Sequence, residues 1–458
     1  MIDKVRELAL KILYEVDEKD AYSNIVLDDM LKKAKKSSNG NEMAGIDQRD
    51  VGFISEIVYG TISWRLTIDG IIKKYSNIKL KKISPWILNI LRLSIYQILF
   101  LDRVPKSAAV NEGVNLAKRY GHKASSNFVN AILRKVNKKD YEDFFKIQND
   151  VDRISMTTSM PVWLVEKLLQ QNDVKTVEKI CQASNSKPSL YIRVNTLKTD
   201  KQTLINELEK EEIKVEEAEL EDFLRISGSR SIDSLKSFQK GMFTVQDEAA
   251  GLIPIIVNPK PNEKVLDACS SPGGKTTYMA QLMSNQGEIT AWDLHEHRVK
   301  LVAKAAERLG ITIIETETKD ATIYEEKYLN YFDKILLDVP CLGIGVLKRK
   351  PDIKWKRKQE DIAEITKIQM EILQNCQKYL KKGGTLVYST CSILKEENEE
   401  VISHFIENNK DFEIEKMNLD ETNFFKKFVE KEKFLQVYQN EKTDGFFICK
   451  LRKKEEKA

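Results

Sequence analysis

The chain has 458 residues, 41% of them hydrophobic and 31% charged, with a net charge of only +4. That length exceeds one ordinary core and implies two or three domains, and the balance excludes a largely disordered chain. The longest apolar stretch, 90–101, is broken by Arg92, Ser94 and Gln97 and is too short to span a bilayer. The opening MIDKVRELALKILYEV mixes charge with apolar residues and has no signal-peptide core. A cytoplasmic protein with reduced thiols and no membrane partner is expected.

Residues 1–140 read as all-helical. Apolar positions recur at helical intervals in Val5, Leu8, Ala9, Ile12 and Leu13, and again in Ile87, Ile90, Leu91, Ile95, Ile98 and Leu99. Ser84-Pro85 and Val104-Pro105 punctuate the helices. Between Val51 and Lys139 sixteen Lys and Arg face four acids, a regional +12 inside a nearly neutral chain. Any single lysine of this kind is ordinarily a solvated surface residue, but an excess this large predicts a footprint for a polyanion. The polar run 140–150 is expected to be a linker.

From 150 to 240 the sequence predicts a small α+β domain of ferredoxin-like type. Helices are expected at Val162–Gln170 and Val174–Ala183, then a strand in SLYIRVNTLK, a helix after Thr199, and a return strand in IKVEEAEL. From 241 to 458 strands alternate with helices. The strands are placed at 264–268, 288–293, 311–317, 334–338 and 385–389, with a helix over 357–380. This alternation predicts a parallel sheet covered on both faces. The runs 434–438 and 445–452, joined by QNEKTD, predict an antiparallel hairpin at its edge.

Two stretches carry chemistry. KVLDACSSPGGKTTYMA is a strand, a glycine loop and a helix: Cys269, Ser270, Ser271, Pro272, Gly273, Gly274 and Lys275 form the loop. Its glycines let backbone approach a ligand, and the helix start offers free N–H groups. Asp293, 26 residues after Asp267, ends the next strand where a ribose diol is held in nucleotide-binding α/β folds. Asp320 follows the third strand, suited to an adenine amino group, and Asp338 ends the fourth. GxxxxGK[ST] is not met, because Cys269 stands at its first glycine, and GxGxxG is absent too. An adenosyl cofactor without a phosphate tail, S-adenosylmethionine, fits better than a nucleoside triphosphate or a dinucleotide.

The second stretch is a pair of thiols. Cys341 (FDKILLDVPCLGIG) and Cys391 (GGTLVYSTCSILKEENEE) each lie in the loop leaving a short apolar strand. Most intracellular cysteines are small core hydrophobes, and Cys181, Cys376 and Cys449 fit that description. Cys341 and Cys391 differ in having Pro, Gly, Ser and Thr neighbours at the ligand-binding edge of the sheet. A disulfide is not expected without a secretory context. Nor is a metal, since no CxxC pair exists and His122, His295, His297 and His404 lack ligand-like spacing.

FTVQDEAAGL, DACSSPGGKT, DVPCLGIGVLKRKPDIKW and YSTCSILKEENEEV together resemble the RNA 5-methylcytosine methyltransferases, in the branch that acts on small-subunit ribosomal RNA. VPKSAAVNEGVNLAKRYG and FVNAILRKV resemble the NusB-like RNA-binding domain these enzymes carry. The resemblance implies a three-part architecture: a NusB-like helical domain over 1–140, the small domain over 150–240, and a Rossmann-like methyltransferase domain over 241–458. It implies Cys391 as nucleophile on cytosine carbon-6, Cys341 as an aid to release, S-adenosylmethionine as cofactor, ribosomal RNA as partner, and a monomer. Where the family often has Asp-Ala-Pro-Cys-Ser, this chain has Asp338-Val339-Pro340-Cys341-Leu342, sparing the thiol and the proline. An amino-methyltransferase would need Asp/Asn-Pro-Pro-aromatic, which is missing. A DNA enzyme would use the Pro-Cys thiol as nucleophile and need no Cys391. A non-catalytic antitermination-like RNA binder would leave the cofactor residues unexplained. Transfer RNA remains an alternative substrate.

Overall fold

The computed structural model describes residues 3–36, 47–228, 231–417, 419, 424–430 and 433–455. The chain divides into two compact units, Met1–Ser186 with Leu347–Arg357, and Lys187–Val346 with Lys358–Ala458.

The first unit is helical. Helix Pro85–Phe100 starts with proline at its first position, as Ser84-Pro85 predicts, and buries Ile87, Ile90, Leu91 and Ile95. Arg92, in the middle of this helix, is 4% exposed. Its Nε and Nη2 donate to Asp69 at 2.7 and 2.8 Å, and its Nη1 donates to Asp17 at 2.8 Å. Arg92 is therefore spent inside the fold and leaves the basic footprint, a role that the charge tally could not separate.

Residues 140–150 are not a linker. Asn137 caps a short helix, Lys138–Glu142, with a reciprocal bond from Asp140. Asp140 is buried and accepts from Lys74 Nζ and Tyr75 OH, both at 2.7 Å. The polarity that suggests a linker is capping and ion-pair chemistry. Helices Asp150–Thr158, Val162–Gln171 and Val174–Ala183 cluster by contact with this unit.

The second unit opens with a four-stranded antiparallel sheet: β1 (Leu190–Val194), β2 (Lys214–Glu217), β3 (Phe223–Ser227) and β4 (Phe243–Val245), in the order β2-β3-β1-β4. With helix Lys201–Lys210, capped by Asp200, this is the ferredoxin-like arrangement. β4 falls inside the region expected to be catalytic. It pairs Ile192 with Val245 and Val194 with Phe243, so the expected boundary at 241 cuts through the small sheet.

The larger sheet contains β5 (Lys264–Asp267), β6 (Glu288–Asp293), β7 (Ile314–Thr318), β8 (Phe332–Asp338), β9 (Leu380–Thr390), β10 (Phe412–Ile414), β11 (Val429–Glu430), β12 (Phe434–Val437) and β13 (Phe446–Lys453). Its order is β11-β12-β13-β9-β8-β5-β6-β7, with β10 on β13. The stretch from β9 to β7 is parallel, and β12 and β13 form the predicted hairpin, laid antiparallel on β9. The chain runs β5, β6, β7 to one side and then crosses to β8 on the other. The switch point therefore lies between β5 and β8, where ligands bind in open α/β sheets.

The helical unit is completed by a distant piece of chain, Leu347–Arg357. Within that unit Ser23 donates through N and Oγ to Asp352, at 3.3 and 2.6 Å, and Trp355 Nε1 donates to Ile62 O at 2.7 Å. Lys354 is 2% exposed; its Nζ donates to Ser63 O at 3.2 Å, to Ser159 O at 3.4 Å and to Asn185 Oδ1. Burial pushes its ammonium down to about 7. Because the unfolded chain keeps that lysine protonated up to its ordinary value, stability from this group rises as pH climbs from about 7 towards 10. The unfolding free energy of wild type, read from melts at each pH, should therefore gain on that of Lys354→Met between pH 7 and 9, by up to about 1.4 kcal/mol per pH unit. Parallel melting curves would refute the assignment.

Candidate active site

Parallel pairing of β8 with β9 sets Asp338 opposite Ser389, and Val339 N donates to Ser389 O at 3.1 Å. The two strands thus end level, and the loops leaving them carry the two cysteines to one place. Cys341 Sγ and Cys391 Sγ are 2.6 Å apart, and Cys391 N donates to Cys341 Sγ at 3.3 Å. Both are free and half-buried. The hydrogen bond with Cys391 and then burial hold the Cys341 thiol well above its usual value. Close packing of the loops depends on Gly345, whose N donates to Cys391 O at 2.9 Å. A Cβ there would lie 2.1 Å from Gly445 O.

Beside the thiols Asp338 takes a hydrogen bond from Lys275 Nζ at 2.7 Å and another from Ser389 Oγ at 2.8 Å. Burial works against the Lys275 ammonium, but the Asp338 carboxylate outweighs it and raises its pKa. The Lys275 ammonium is therefore favoured despite its burial.

One cavity is lined by Asp267, Cys269, Ser270, Ser271, Pro272, Gly274, Lys275 and Asp338. Gly273 adopts φ +102 as the N-cap of helix Gly274–Leu282, and no side chain caps the first turn. A Cβ at Gly273 would come 3.1 Å from Val302 Cα in a backbone region that favours glycine. Asp267 is 1% exposed; its Oδ2 accepts from Thr276 Oγ1 at 2.7 Å, while its Oδ1 has no partner. Burial raises this carboxyl to about 7.

Asp293 and Asp320 do not line that cavity. Asp293 ends β6, buried, and its Oδ1 accepts from His295 N at 3.2 Å. Asp320 lies just past β7 and accepts from Thr322 N and Oγ1 at 2.9 and 2.7 Å. Lys319 N donates to Asp293 O at 3.0 Å, so both acids stand at the same carboxyl edge.

Sequence reasoning missed Gln246 and Arg193. Gln246 lines the cavity and its Nε2 has no partner. Arg193, on β1, is 1% exposed. It donates to Gln246 Oε1, to Gly274 O at 2.8 Å and to Thr277 Oγ1 at 3.1 Å, and lies 4.5 Å over the Tyr278 ring. Burial pulls its guanidinium down to about 9, still a cation at neutral pH. An arginine inside the apolar strand LYIRV was the available signal, since arginine is rarely buried without a partner.

Three family models match successive parts of the chain. The model described as 16S rRNA methyltransferase RsmB/F matches residues 254–452, the NusB family model 3–138, and the RsmF/B-like ferredoxin-like domain 160–233. A probable ribosomal RNA small subunit methyltransferase B from Bacillus subtilis is 40% identical over 98% of this chain and 99% of its own. One of the same description from Synechocystis is 34% identical over 98% and 99%. Among solved structures, PH0851 superposes with a TM-score of 0.79 at 26% identity over 99% of both chains. NSun6 from Pyrococcus horikoshii, crystallised with SFG, superposes at 0.57 and 25% identity over 65% of this chain and 99% of its own. With its NusB, ferredoxin-like and Rossmann-like methyltransferase parts in place, this chain belongs to the 16S rRNA methyltransferase RsmB/F family.

Proposed function

We propose that the protein methylates carbon-5 of a cytosine in small-subunit ribosomal RNA, using S-adenosylmethionine, with Cys391 as nucleophile and Cys341 as its partner in release. The observation that carries the reading is the pair of sulfurs 2.6 Å apart, beside the Lys275–Asp338 ion pair.

Cytosine carbon-5 is a poor nucleophile, and a thiolate added at carbon-6 turns the ring into an enamine. Cys341 keeps its proton, so its S–H is able to donate to Cys391 and stabilise a thiolate there. Asp338, fixed by Lys275 and Ser389, presents a carboxylate for the polar edge of the base. After methylation carbon-5 carries one proton too many. Cys341 gives its proton to the departing Cys391 sulfur and takes the carbon-5 proton. The C6–S bond breaks, the C5=C6 bond returns, and both thiols end protonated.

The cavity residues fit the cofactor: partnerless Asp267 Oδ1 and Gln246 Nε2 are a free acceptor and a free donor at the glycine loop. When bound, S-adenosylmethionine supplies an electrophilic methyl group on a sulfonium. Ser270, Ser271, Gly274 and Lys275 would hold its methionine end with Asp267. Asp293 and Asp320, at the neighbouring strand ends, would hold ribose and adenine.

Three outcomes are expected. Cys341→Ala, incubated with unmodified small-subunit ribosomal RNA and cofactor, should accumulate RNA attached through Cys391, seen as an RNase-sensitive slow band on a denaturing gel. Cys391→Ala should give none, and the reverse pattern would make Cys341 the nucleophile, as in the DNA enzymes.

Asp267 can hold the cofactor's ammonium only as a carboxylate. Calorimetric affinity for S-adenosylmethionine should thus rise with pH up to about 7 and level off above it. Asp267→Asn should bind roughly tenfold more weakly with that slope gone, the loss of about one charge-assisted hydrogen bond; an unchanged slope would remove Asp267 from the site.

Lys79, Lys81 and Lys82 are exposed together around the turn Leu80–Lys82 of the helical unit. If they contact RNA phosphates, replacing all three by glutamate should flatten the log–log salt dependence of RNA binding by about 2–3, at ~0.7–0.9 per contact. Cofactor affinity should not move, and an unaltered salt slope would place the RNA surface elsewhere.

A further inference from the structure

Each thiol is held from both flanks by buried side chains. Around Cys341, Gln369 Nε2 donates to Pro340 O at 3.0 Å, and Leu342 N donates to Glu397 Oε2 at 2.8 Å. Around Cys391, Thr390 Oγ1 donates to Asn398 Oδ1 at 2.6 Å, Asn398 Nδ2 donates to Ser392 O at 3.1 Å, and Ser392 Oγ donates to Glu397 Oε1. The two holds meet in Glu397, which also accepts from Gln369 Nε2 at 3.2 Å and, through its carbonyl, from Tyr388 OH at 2.7 Å. Glu397 and Gln369 are 0% exposed.

We propose that Glu397 is a positioning residue for the methyl transfer: through Leu342 and Ser392 it fixes the spacing of the two sulfurs. This rests on the reading of the thiols given above and extends it. An ionised carboxylate accepts and does not donate, which matches the donors gathered around both oxygens. One oxygen is bonded to the residue after Cys341 and the other to the hydroxyl of the residue after Cys391. Displacing either bond frees one loop relative to the other. The charge acts as well as the geometry. Cys391, burial, Glu397 and Asp338 all raise the pKa of Cys341; the titratable Tyr388 also lies near it, while the Lys275 ammonium acts on Cys391. A negative group fixed beside Cys341 disfavours a second negative charge there.

The two roles separate in two variants. Glu397→Ala removes the acceptors and the charge. Glu397→Gln keeps the size and one acceptor oxygen, and the Ser392 hydroxyl can turn to accept from the new amide, so geometry survives while charge does not. The readout is protein-only. Diamide takes two electrons and two protons from a pair of thiols to make a disulfide, and peptide mapping follows the Cys341–Cys391 link in the full chain. Iodoacetamide reports each thiol singly. Wild type should cross-link readily. Glu397→Ala should cross-link about tenfold more slowly, which corresponds to ~1.4 kcal/mol, while alkylation of Cys391 changes much less. Glu397→Gln should recover most of the cross-linking rate, with its pH profile moved to lower pH because Cys341 ionises more easily. Cross-linking at the wild-type rate in Glu397→Ala, or a wild-type pH profile in Glu397→Gln, would overturn the proposal. Should the alanine variant fail to fold, the profile of the glutamine variant decides alone. Neither RNA nor cofactor is present, so failure of the chemistry proposed for Cys391 would leave this result standing, and the reverse.

Discussion

The parallel register between β8 and β9 is the constraint on which the active site depends. Lys334 lies opposite Thr385 and Asp338 opposite Ser389, so both strands run out at the same level of the sheet. Side chains along a strand alternate between faces. A slip of one residue would exchange the buried set for the opposite one, which a sheet buried on both faces resists strongly. Leu336 and Val387, paired across the two strands, belong to one apolar cluster, while Leu337 and Tyr388 belong to another. Burial on both faces therefore fixes where the two cysteine loops begin. β13 laid against β9 adds a second register, with Phe447 opposite Thr390, and brings Gly445 against Gly345 beneath the thiols.

A different kind of constraint orders the glycine loop. Arg193 comes from the ferredoxin-like sheet, yet its partners are Gln246 and the first turn of helix Gly274–Leu282. Taking a guanidinium out of water is costly unless its donors are met, and here carbonyl, amide and hydroxyl oxygens meet them without a carboxylate in the bonds named. Such an arrangement punishes misplacement more than it rewards burial. The small sheet is thereby coupled to the position of the residues facing the cavity, so its integrity shapes that cavity.

Much of this was legible in the residues, for physical reasons. Strand ends at Asp293 and Asp338 were readable because each closes a short strand of mainly apolar, β-favouring residues with an acid. The helices Val162–Gln171 and Val174–Ala183 were readable from periodicity and from their Pro161 and Asp173 starts. What escaped were the long-range pairings. β3 and β4 are short and broken by polar residues, and only their pairing with β1 makes them strands. Asp140 looked solvated because its partners, Lys74 and Tyr75, lie 65 or more residues away. Glu397 stood in plain view within a run of acids, and no local pattern separates the one buried acid of KEENEE from the half-buried and exposed acids beside it.

The helical unit is discontinuous: its main part ends at Ser186 and its last piece, Leu347–Arg357, follows ~160 residues later. During vectorial synthesis at ~5–20 residues per second, the ribosome needs roughly 8–30 s to make the intervening chain. For that interval the carbonyls of Ser63, Ser159 and Ile62 and the amide of Asn185 have neither Lys354 nor Trp355 to bond. The N-terminal helices thus emerge first but are finished late, after β8 and the Cys341 loop have been made. In a nascent chain of this protein the helical unit begins first but closes only after β1 to β8 of the second unit have been made, and a gene fragment ending near residue 186 would encode a helical unit with an unfilled seat.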